Sequence, residues 1–368
     1  MLLKRIFCFV LAIVLFSPII SVGAVSTSAK AAILINGDTG EIIYEQNSTL
    51  KLPMASTTKI MTALITLEED ILDEFFIVDS EAIKVEGSSM GLREGDFVTL
   101  RGLVAGMLLS SGNDAANAAA VKIGGSIENF VAIMNKRAEE MGLKNTSFET
   151  PSGLDGKSHY STAYDMALLA VNALDNPDFA AVCGAESLSF EYGNPPYRRM
   201  LVNHNRLIKS LSGATGVKTG FTKKAGRCLV SSAERDGVFL ICVTLGCSDD
   251  WNYHTKIYEE YFAKLKNTDL STLVEKTEIP VIGGTETKTQ AVCNIASSSI
   301  FEGEYERIDV VISKEPFIFA PVEKGEIVGK AKFYLDGILI EEAILTAEKD
   351  IYIKEENESF FDKIKDIF

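Results

Sequence analysis

Histidine and tryptophan are almost missing from this chain, which holds three of the first and one of the second. His159, His204 and His254 stand too far apart to share a helical face, and no H-E-x-x-H occurs, which argues against a zinc peptidase. No metal or other cofactor is expected. Cysteine is scarce too. With Cys8 set aside, Cys183, Cys228, Cys242, Cys247 and Cys293 are odd in number and form no C-x-x-C pair, so a disulfide framework is excluded. Cys228 and Cys242 fall in apolar runs and read as small buried residues. Positive charge is in deficit, with 36 Lys and Arg against 51 Asp and Glu and a net charge of -15. Such a surface releases no counterions from a phosphate backbone, so nucleic acid is not an expected partner. Internal repeats and low-complexity stretches are absent.

Long apolar runs are missing except at the start. Lys4 and Arg5 precede the run Ile6 to Ile20, and Val22-Gly23-Ala24 follows as a small-residue cleavage site. The run is shorter than the roughly twenty residues a spanning helix needs. Residues 1–24 are therefore expected to be a secretory signal peptide cut after Ala24, and the protein to be secreted.

What is present reads as two domains. AAILIN, the turn Gly37-Asp38-Thr39-Gly40 and EIIYEQ form a hairpin. A helix starts near Ser56 and buries Ile60, Met61, Leu64, Ile65 and Leu67. Leu100 to about Gly142 is Ala-rich and helical, interrupted at Ser110-Ser111-Gly112-Asn113, and residues 160–175 add another helix. Val217 opens a strand; GRCLVSSAER and VFLICVTLG follow as a hairpin joined at Asp236-Gly237. A last helix runs from about Tyr253 to Leu265. Two early strands, three late ones and helices between them predict one antiparallel five-stranded sheet with flanking helices, an α/β (α+β) class over residues 25–267. From 268 to 353, short alternating runs predict a small all-β domain.

Three short motifs carry chemistry. Ser56-Thr57-Thr58-Lys59 places a hydroxyl and an amine one helical turn apart at a helix start, so Lys59 can take the Ser56 proton. That requires a lysine pKa lowered by burial and by a second cation. Ser48-Thr49-Leu50-Lys51 has the same spacing, but Leu52-Pro53 stops any helix there. Ser111-Gly112-Asn113 breaks a helical run with turn-forming residues, and Lys218-Thr219-Gly220 lies where a strand is expected. Each tripeptide alone has an ordinary reading, as a loop or a strand end. Together and in this order they do not arise by chance at this composition.

S-x-x-K, a middle S-x-N and K-T-G are the motif set of penicillin-binding proteins and class A β-lactamases. The chain resembles the low-molecular-mass penicillin-binding proteins, the serine-type D-alanyl-D-alanine carboxypeptidases, closest to the sporulation-associated Gram-positive type. PMASTTKIMTAL, EGSSMGLREGD, GMLLSSGNDAANAAA, TPSGLDGKSHYSTAYDMALLA, NHNRLI and GVKTGFT carry the likeness. It implies that Ser56 attacks the carbonyl of a penultimate D-alanine, with Lys59 as base. Ser111 would relay a proton to the leaving amine with Lys218 close by, and Asn113 would hold the substrate amide. Lys218 and Thr219 would bind the terminal carboxylate. Gly220 would let the peptide lie against the strand edge, and the N–H groups of Ser56 and Phe221 would form the oxyanion hole. Peptidoglycan stem peptides are the implied substrate and β-lactam antibiotics the implied inhibitors. Relatives often carry a carboxylate-binding arginine after the last sheet strand. GCSDDWNYHTKIY has none, and Trp251, Asn252 and His254 either shape that rim or pack.

The likeness makes residues 268–353 a non-catalytic β-sandwich. In the tail, residues 354–368, Phe360, Phe361, Ile364, Ile367 and Phe368 share one helical face, which suits a membrane-surface anchor on the outside of the cell membrane. A packed or frayed helix is the alternative. Three rivals stand beside the carboxypeptidase reading. A β-lactamase needs a glutamate-activated water, and no glutamate lies between Pro151 and Asp165. A catalytically inactive wall-binding module has no need of the intact motifs. A D,D-endopeptidase would cut the same kind of bond with a larger leaving group.

Overall fold

The first strand, β1 (Ala31–Asn36), is buried along its whole length, so it must be covered on both faces and paired on both edges. The computed structural model, which describes residues 29–354, meets that demand with partners from opposite ends of the N-terminal part. β2 (Ile42–Gln46) returns across the Gly37–Gly40 turn, and the other neighbour comes from late in the chain. The expected signal peptide and the apolar stripe expected in the tail lie outside the described residues.

After β2 come α1 (Lys59–Leu67), the short strands β3 (Phe76–Ile77) and β4 (Phe97–Val98), then α2 (Leu100–Leu108), α3 (Asn113–Gly124), α4 (Ile127–Glu140), α5 (Ala163–Leu174) and α6 (Pro177–Gly184). The hairpin β5 (Ser187–Gly193) and β6 (Pro196–Val202) and the short α7 (Leu207–Ser210) lead to β7 (Ala214–Thr222), β8 (Gly226–Arg235), β9 (Val238–Leu245) and α8 (Asp250–Phe262). The main sheet is antiparallel with the order β2-β1-β9-β8-β7, as the two-early, three-late pattern requires. Its period-two alternation feeds two cores. Ile33, Cys228, Val230 and Val243 face α1 to α6, whereas Leu34, Leu229, Leu240 and Cys242 face α8. All nine residues of α1 are buried, the expected setting for a helix apolar all round.

Several details differ from the sequence reading. The Ala-rich stretch breaks twice, since Gly125 at φ 73 ends α3 and Ser126 caps α4. The last helix begins at Asp250 and stops at Phe262, and Leu265 opens a strand instead. The four-stranded sheet β3-β4-β5-β6 and helix α6 were not anticipated.

The C-terminal part is all β. β10 (Leu265–Asp269) pairs with β13 (Ser297–Phe301). β11 (Thr277–Ile282), β12 (Lys288–Cys293), β14 (Ile308–Lys314), β15 (Ile318–Phe319), β16 (Ile327–Leu335) and β17 (Ile338–Ala347) form a six-stranded sheet ordered β14-β16-β17-β12-β11-β15. Asp236-Gly237 and Asp336-Gly337 both have positive φ, the left-handed pair that tight hairpins need. Among the described residues, no helix is long and apolar enough to cross a membrane.

Candidate active site

Pro53 and Ala55 set up the first motif. Ala55 adopts φ 49, unusual for a residue with a Cβ, and turns the chain sharply into one 3₁₀ turn, Ala55–Thr58, ahead of α1. The hydroxyls of Thr57 and Thr58 donate to the carbonyls of Met54 and Ala55 at 2.6 and 2.8 Å, which fixes the turn. Ser56 is left half-buried at its corner, its Oγ 2.9 Å from Lys59 Nζ.

Lys59 is fully buried without an ion-pair partner, and its Nζ has three oxygen neighbours. They are Ser56 Oγ at 2.9 Å, Asn113 Oδ1 at 2.7 Å and the Ser152 carbonyl at 2.6 Å. Burial pushes its pKa well below the ordinary lysine value, the charge of Lys218 pushes the same way, and Asp114 opposes both. A neutral amine has two hydrogens. Asn113 Oδ1 and the Ser152 carbonyl can only accept, so they take both, and the lone pair is left pointing at Ser56 Oγ. The serine hydroxyl is then the donor, which is the arrangement a general base requires.

The second motif lies in the link between α2 and α3. Ser111 is held at φ 57, and Gly112 N–H donates to Gly106 O at 2.9 Å. Asn113 opens α3 with its N–H on Ser88 O at 2.7 Å and its Nδ2 on Glu86 O at 2.6 Å, so the amide that meets Lys59 is fixed at its other end. The third motif is on β7, an edge strand of the main sheet. Lys218 is buried and donates to Ser111 Oγ at 3.0 Å and to Thr219 O at 2.8 Å; burial lowers its pKa to about 7. Thr219 is half-buried and Phe221 is 64% exposed beside it. Gly220 is there for space, since a Cβ would lie 3.0 Å from Ser56 N and 3.1 Å from both Met54 O and Thr57 N. Thus Ser56, Lys59 and Asn113 form one hydrogen-bonded group and Ser111 and Lys218 a second; the Ser111–Asn113 segment carries a member of each, and the backbone of Gly220 lies against the Ser56 amide.

Three contributors were missed by the sequence reading. The Ser152 carbonyl carries no side-chain signal. Asp114 accepts from Ser89 Oγ and from the N–H groups of Met90, Gly91 and Leu92, and so holds the segment next to Asn113. Gly153, at φ +85, passes so close that a Cβ would stand 2.0 Å from Ala55 O. The Ser-Gly pair in TPSGLDG was its only trace. Gly153→Ala is expected to cost on the order of 2 kcal/mol or more and to slow β-lactam labelling by displacing the Ser152 carbonyl. Thermal unfolding and labelling kinetics measured on the same variant check both effects.

The histidines take no part in this group. His159 Nδ1 accepts from Glu149 N–H at 3.0 Å, so Nε2 carries the hydrogen and donates to Thr58 Oγ1 at 2.8 Å; burial lowers its pKa to about 4. His254 is buried between Ser231 and Thr244 under the far face of the sheet, with its pKa down to about 3, and so packs rather than lining a rim. Trp251 packs there as well, under the guanidinium of Arg227, whose Nε donates to Asp250 Oδ1 at 2.8 Å. Asn252 binds Asp249 at the surface. Arg227 stands on β8 opposite Phe221, so a cation does occur near the position where GCSDDWNYHTKIY lacks one. Among the described residues, no cluster of His, Cys, Asp and Glu could hold a metal ion.

Comparison with known proteins follows the same lines. A family model described as D-alanyl-D-alanine carboxypeptidase matches residues 19–249, and one described as the C-terminal domain of penicillin-binding protein 5 matches residues 269–353. The D-alanyl-D-alanine carboxypeptidase DacF of Bacillus subtilis (strain 168) is 34% identical over 336 residues, covering 88% of this chain and 86% of that one. The solved structure of penicillin binding protein 5 from Haemophilus influenzae superposes with a TM-score of 0.68 at 28% identity, over 90% of this chain and 99% of that one. The D-alanyl-D-alanine carboxypeptidase DacD from Francisella tularensis gives 0.66 at 27% identity, over 90% and 95%.

Proposed function

The chain belongs to the D-alanyl-D-alanine carboxypeptidase family of serine-type hydrolases, and from that premise we propose that it removes the terminal D-alanine of peptidoglycan stem pentapeptides through an ester on Ser56. One observation supports this above others: a buried lysine amine, its pKa lowered by burial, lies 2.9 Å from the serine hydroxyl with its other two contacts made to groups that only accept.

Ser56 Oγ adds to the carbonyl of the penultimate D-alanine while its proton passes to Lys59 Nζ. The oxyanion is met by the N–H groups of Ser56 and Phe221, each such donor typically worth about 2.7–4 kcal/mol. Collapse breaks the C–N bond, and the leaving amine takes a proton by way of Ser111 Oγ, which lies on Lys218 Nζ. Water then attacks the ester and returns Ser56. Asn113 both orients Lys59 and offers its amide to the substrate, and Lys218 and Thr219 take the terminal carboxylate. The peptide runs along β7, which Gly220 allows to lie close against the Ser56 turn. A β-lactam presents a similar acyl group and leaves an ester that hydrolyses slowly.

Secretion behind residues 1–24, a catalytic domain over 25–267, a spacer domain over 268–353 and a membrane-associated tail complete the reading, which puts the site outside the cytoplasm where peptidoglycan lies. Purified protein is expected to release D-alanine from a stem pentapeptide at least tenfold faster than it opens a cross-linked dimer, measured by chromatography of both products. Faster opening of the dimer makes the endopeptidase reading the right one.

A further inference from the structure

We propose that the far edge of the C-terminal β-domain is itself a phospholipid-contact surface, formed by Ile282, Phe317, Phe319, Tyr352 and Ile353. These side chains are exposed to 49, 46, 66, 68 and 60%. Scattered exposed apolar residues need no explanation, but a contiguous patch does. Ile282, Phe317 and Phe319 are contiguous, and the backbone of Tyr352 and Ile353 runs beside the end of the same strand. Ile282 on β11 pairs with Phe319 on the edge strand β15, and the rings of Phe317 and Phe319 meet edge to face at 5.5 Å. Ile353 bridges to Gly284, and Thr285 N–H donates to Tyr352 O at 2.8 Å. Ile318 and Val281, between the outward residues, turn into the domain core, so the outward positions are those where a solvated strand carries polar side chains.

Register locates the patch. β17 starts at Ile338, and the next residues, Leu339 and Ile340, line a cleft with Asn36 and Gly237 of the N-terminal part. It runs ten residues to Ala347, a rise of about 30 Å at ~3.3 Å per residue. Ala347 pairs with Ala291, and Ala291 with Thr277, so β11 continues outward from that level to Ile282. The apolar edge is thus at the end of the molecule remote from Ser56.

The occupant follows from where the chain goes next. Tyr352 and Ile353 lead directly into residues 355–368, whose sequence carries Phe360, Phe361, Ile364, Ile367 and Phe368 at helical spacing. An apolar surface with a tyrosine whose ring is apolar and whose hydroxyl is polar, followed in the sequence by an apolar stripe, matches the boundary between acyl chains and headgroups. The lining side chains are uncharged and Lys349 is paired with Glu286, so the contact is apolar and insensitive to salt.

The test is co-sedimentation of the full chain with phosphatidylcholine vesicles at low and high salt, using Phe317→Ser/Phe319→Ser and, separately, Phe361→Ser/Ile364→Ser. Penicillin labelling of Ser56 monitors folding in each. The patch variant is expected to partition about tenfold more weakly at either salt concentration while labelling as before. In a Trp251→Phe background, Phe319→Trp should shift its emission to shorter wavelength on vesicles, a readout that survives if the serine variant misfolds. Unchanged partitioning together with an unshifted Phe319→Trp emission overturns the proposal. So does tighter binding of the patch variant, which would mean that the tail packs on the patch, or a change from dimer to monomer on its substitution.

Discussion

Ser56→Ala is expected to abolish the covalent adduct that penicillin forms with this chain and to lower D-alanine release by roughly 10⁴-fold or more. The unmodified protein should gain the mass of one β-lactam per molecule. The effect is large because nothing nearby can substitute. Ser111 is the closest other hydroxyl in the group, but it faces Lys218 and stands on the α2–α3 link rather than against the amide that Gly220 makes accessible. Ser152 meets Lys59 through its carbonyl, which is no nucleophile. Intact-mass spectrometry decides, and an adduct that persists in Ser56→Ala removes the nucleophile assignment.

Lys59→Ala should cost about 10²–10⁴-fold in the acylation rate, the usual contribution of a positioned base. His159→Ala, His204→Ala and His254→Ala should each still form the adduct, since the rings of His159 and His254 hydrogen-bond elsewhere and His204, near enough to feel the charge of Lys218, is assigned no proton transfer. A histidine variant as inactive as Lys59→Ala would contradict the mechanism. The pH dependence has a definite sign. Only the neutral amine can accept the serine proton, so acylation falls as acid protonates the lysine pair, which titrates as a coupled unit. Lys218 lies among the causes that lower the Lys59 pKa. Lys218→Gln removes that charge, the Lys59 pKa rises, and the acid limb of the rate profile should move to higher pH. Stopped-flow acylation by a chromogenic cephalosporin across pH 5 to 9 measures the shift, and a limb that moves to lower pH refutes the coupling.

The sheet, and the candidate side chains that the fold draws together, were legible in the sequence for a simple reason. Both are written in side chains at short spacing: strand alternation in AAILIN and VFLICVTLG, and a hydroxyl and an amine three residues apart. The parts that escaped are written in the backbone. Nothing about the Ser152 side chain announces that its carbonyl meets Lys59, and Asp114 shows its purpose only once residues 89–92 have folded over it. Other misses left a trace that went unread. Asn176-Pro177 is a cap followed by proline at the first helical position, and it does begin α6. Asn194-Pro195 joins β5 and β6, but that hairpin is mostly exposed, so alternation there is weak. Tyr253 as the start of α8 was late by one turn because the first turn, Asp250 and Trp251, is anchored by Arg227 from another strand rather than by its own apolar periodicity.

An open sheet edge beside the proposed nucleophile is a hazard as well as a template, since any extended chain can add to it. β7 limits the offer by its length. At one end Asn205 Nδ2 ties down Gly216 O at 2.8 Å. At the other, Thr222 Oγ1 is held by Asp155 at 3.0 Å and Lys224 Nζ by Gly156 O at 2.7 Å, which brings the 150–159 loop across the strand end. The window between them is only a few residues long, and within it Lys218 Nζ already holds Thr219 O at 2.8 Å. A strand of another protein, needing a longer ladder to be stable, finds both ends blocked, whereas a short peptide that ends in a carboxylate fits between them. On the proposed binding mode, selection at this edge is made by length before any side chain is read.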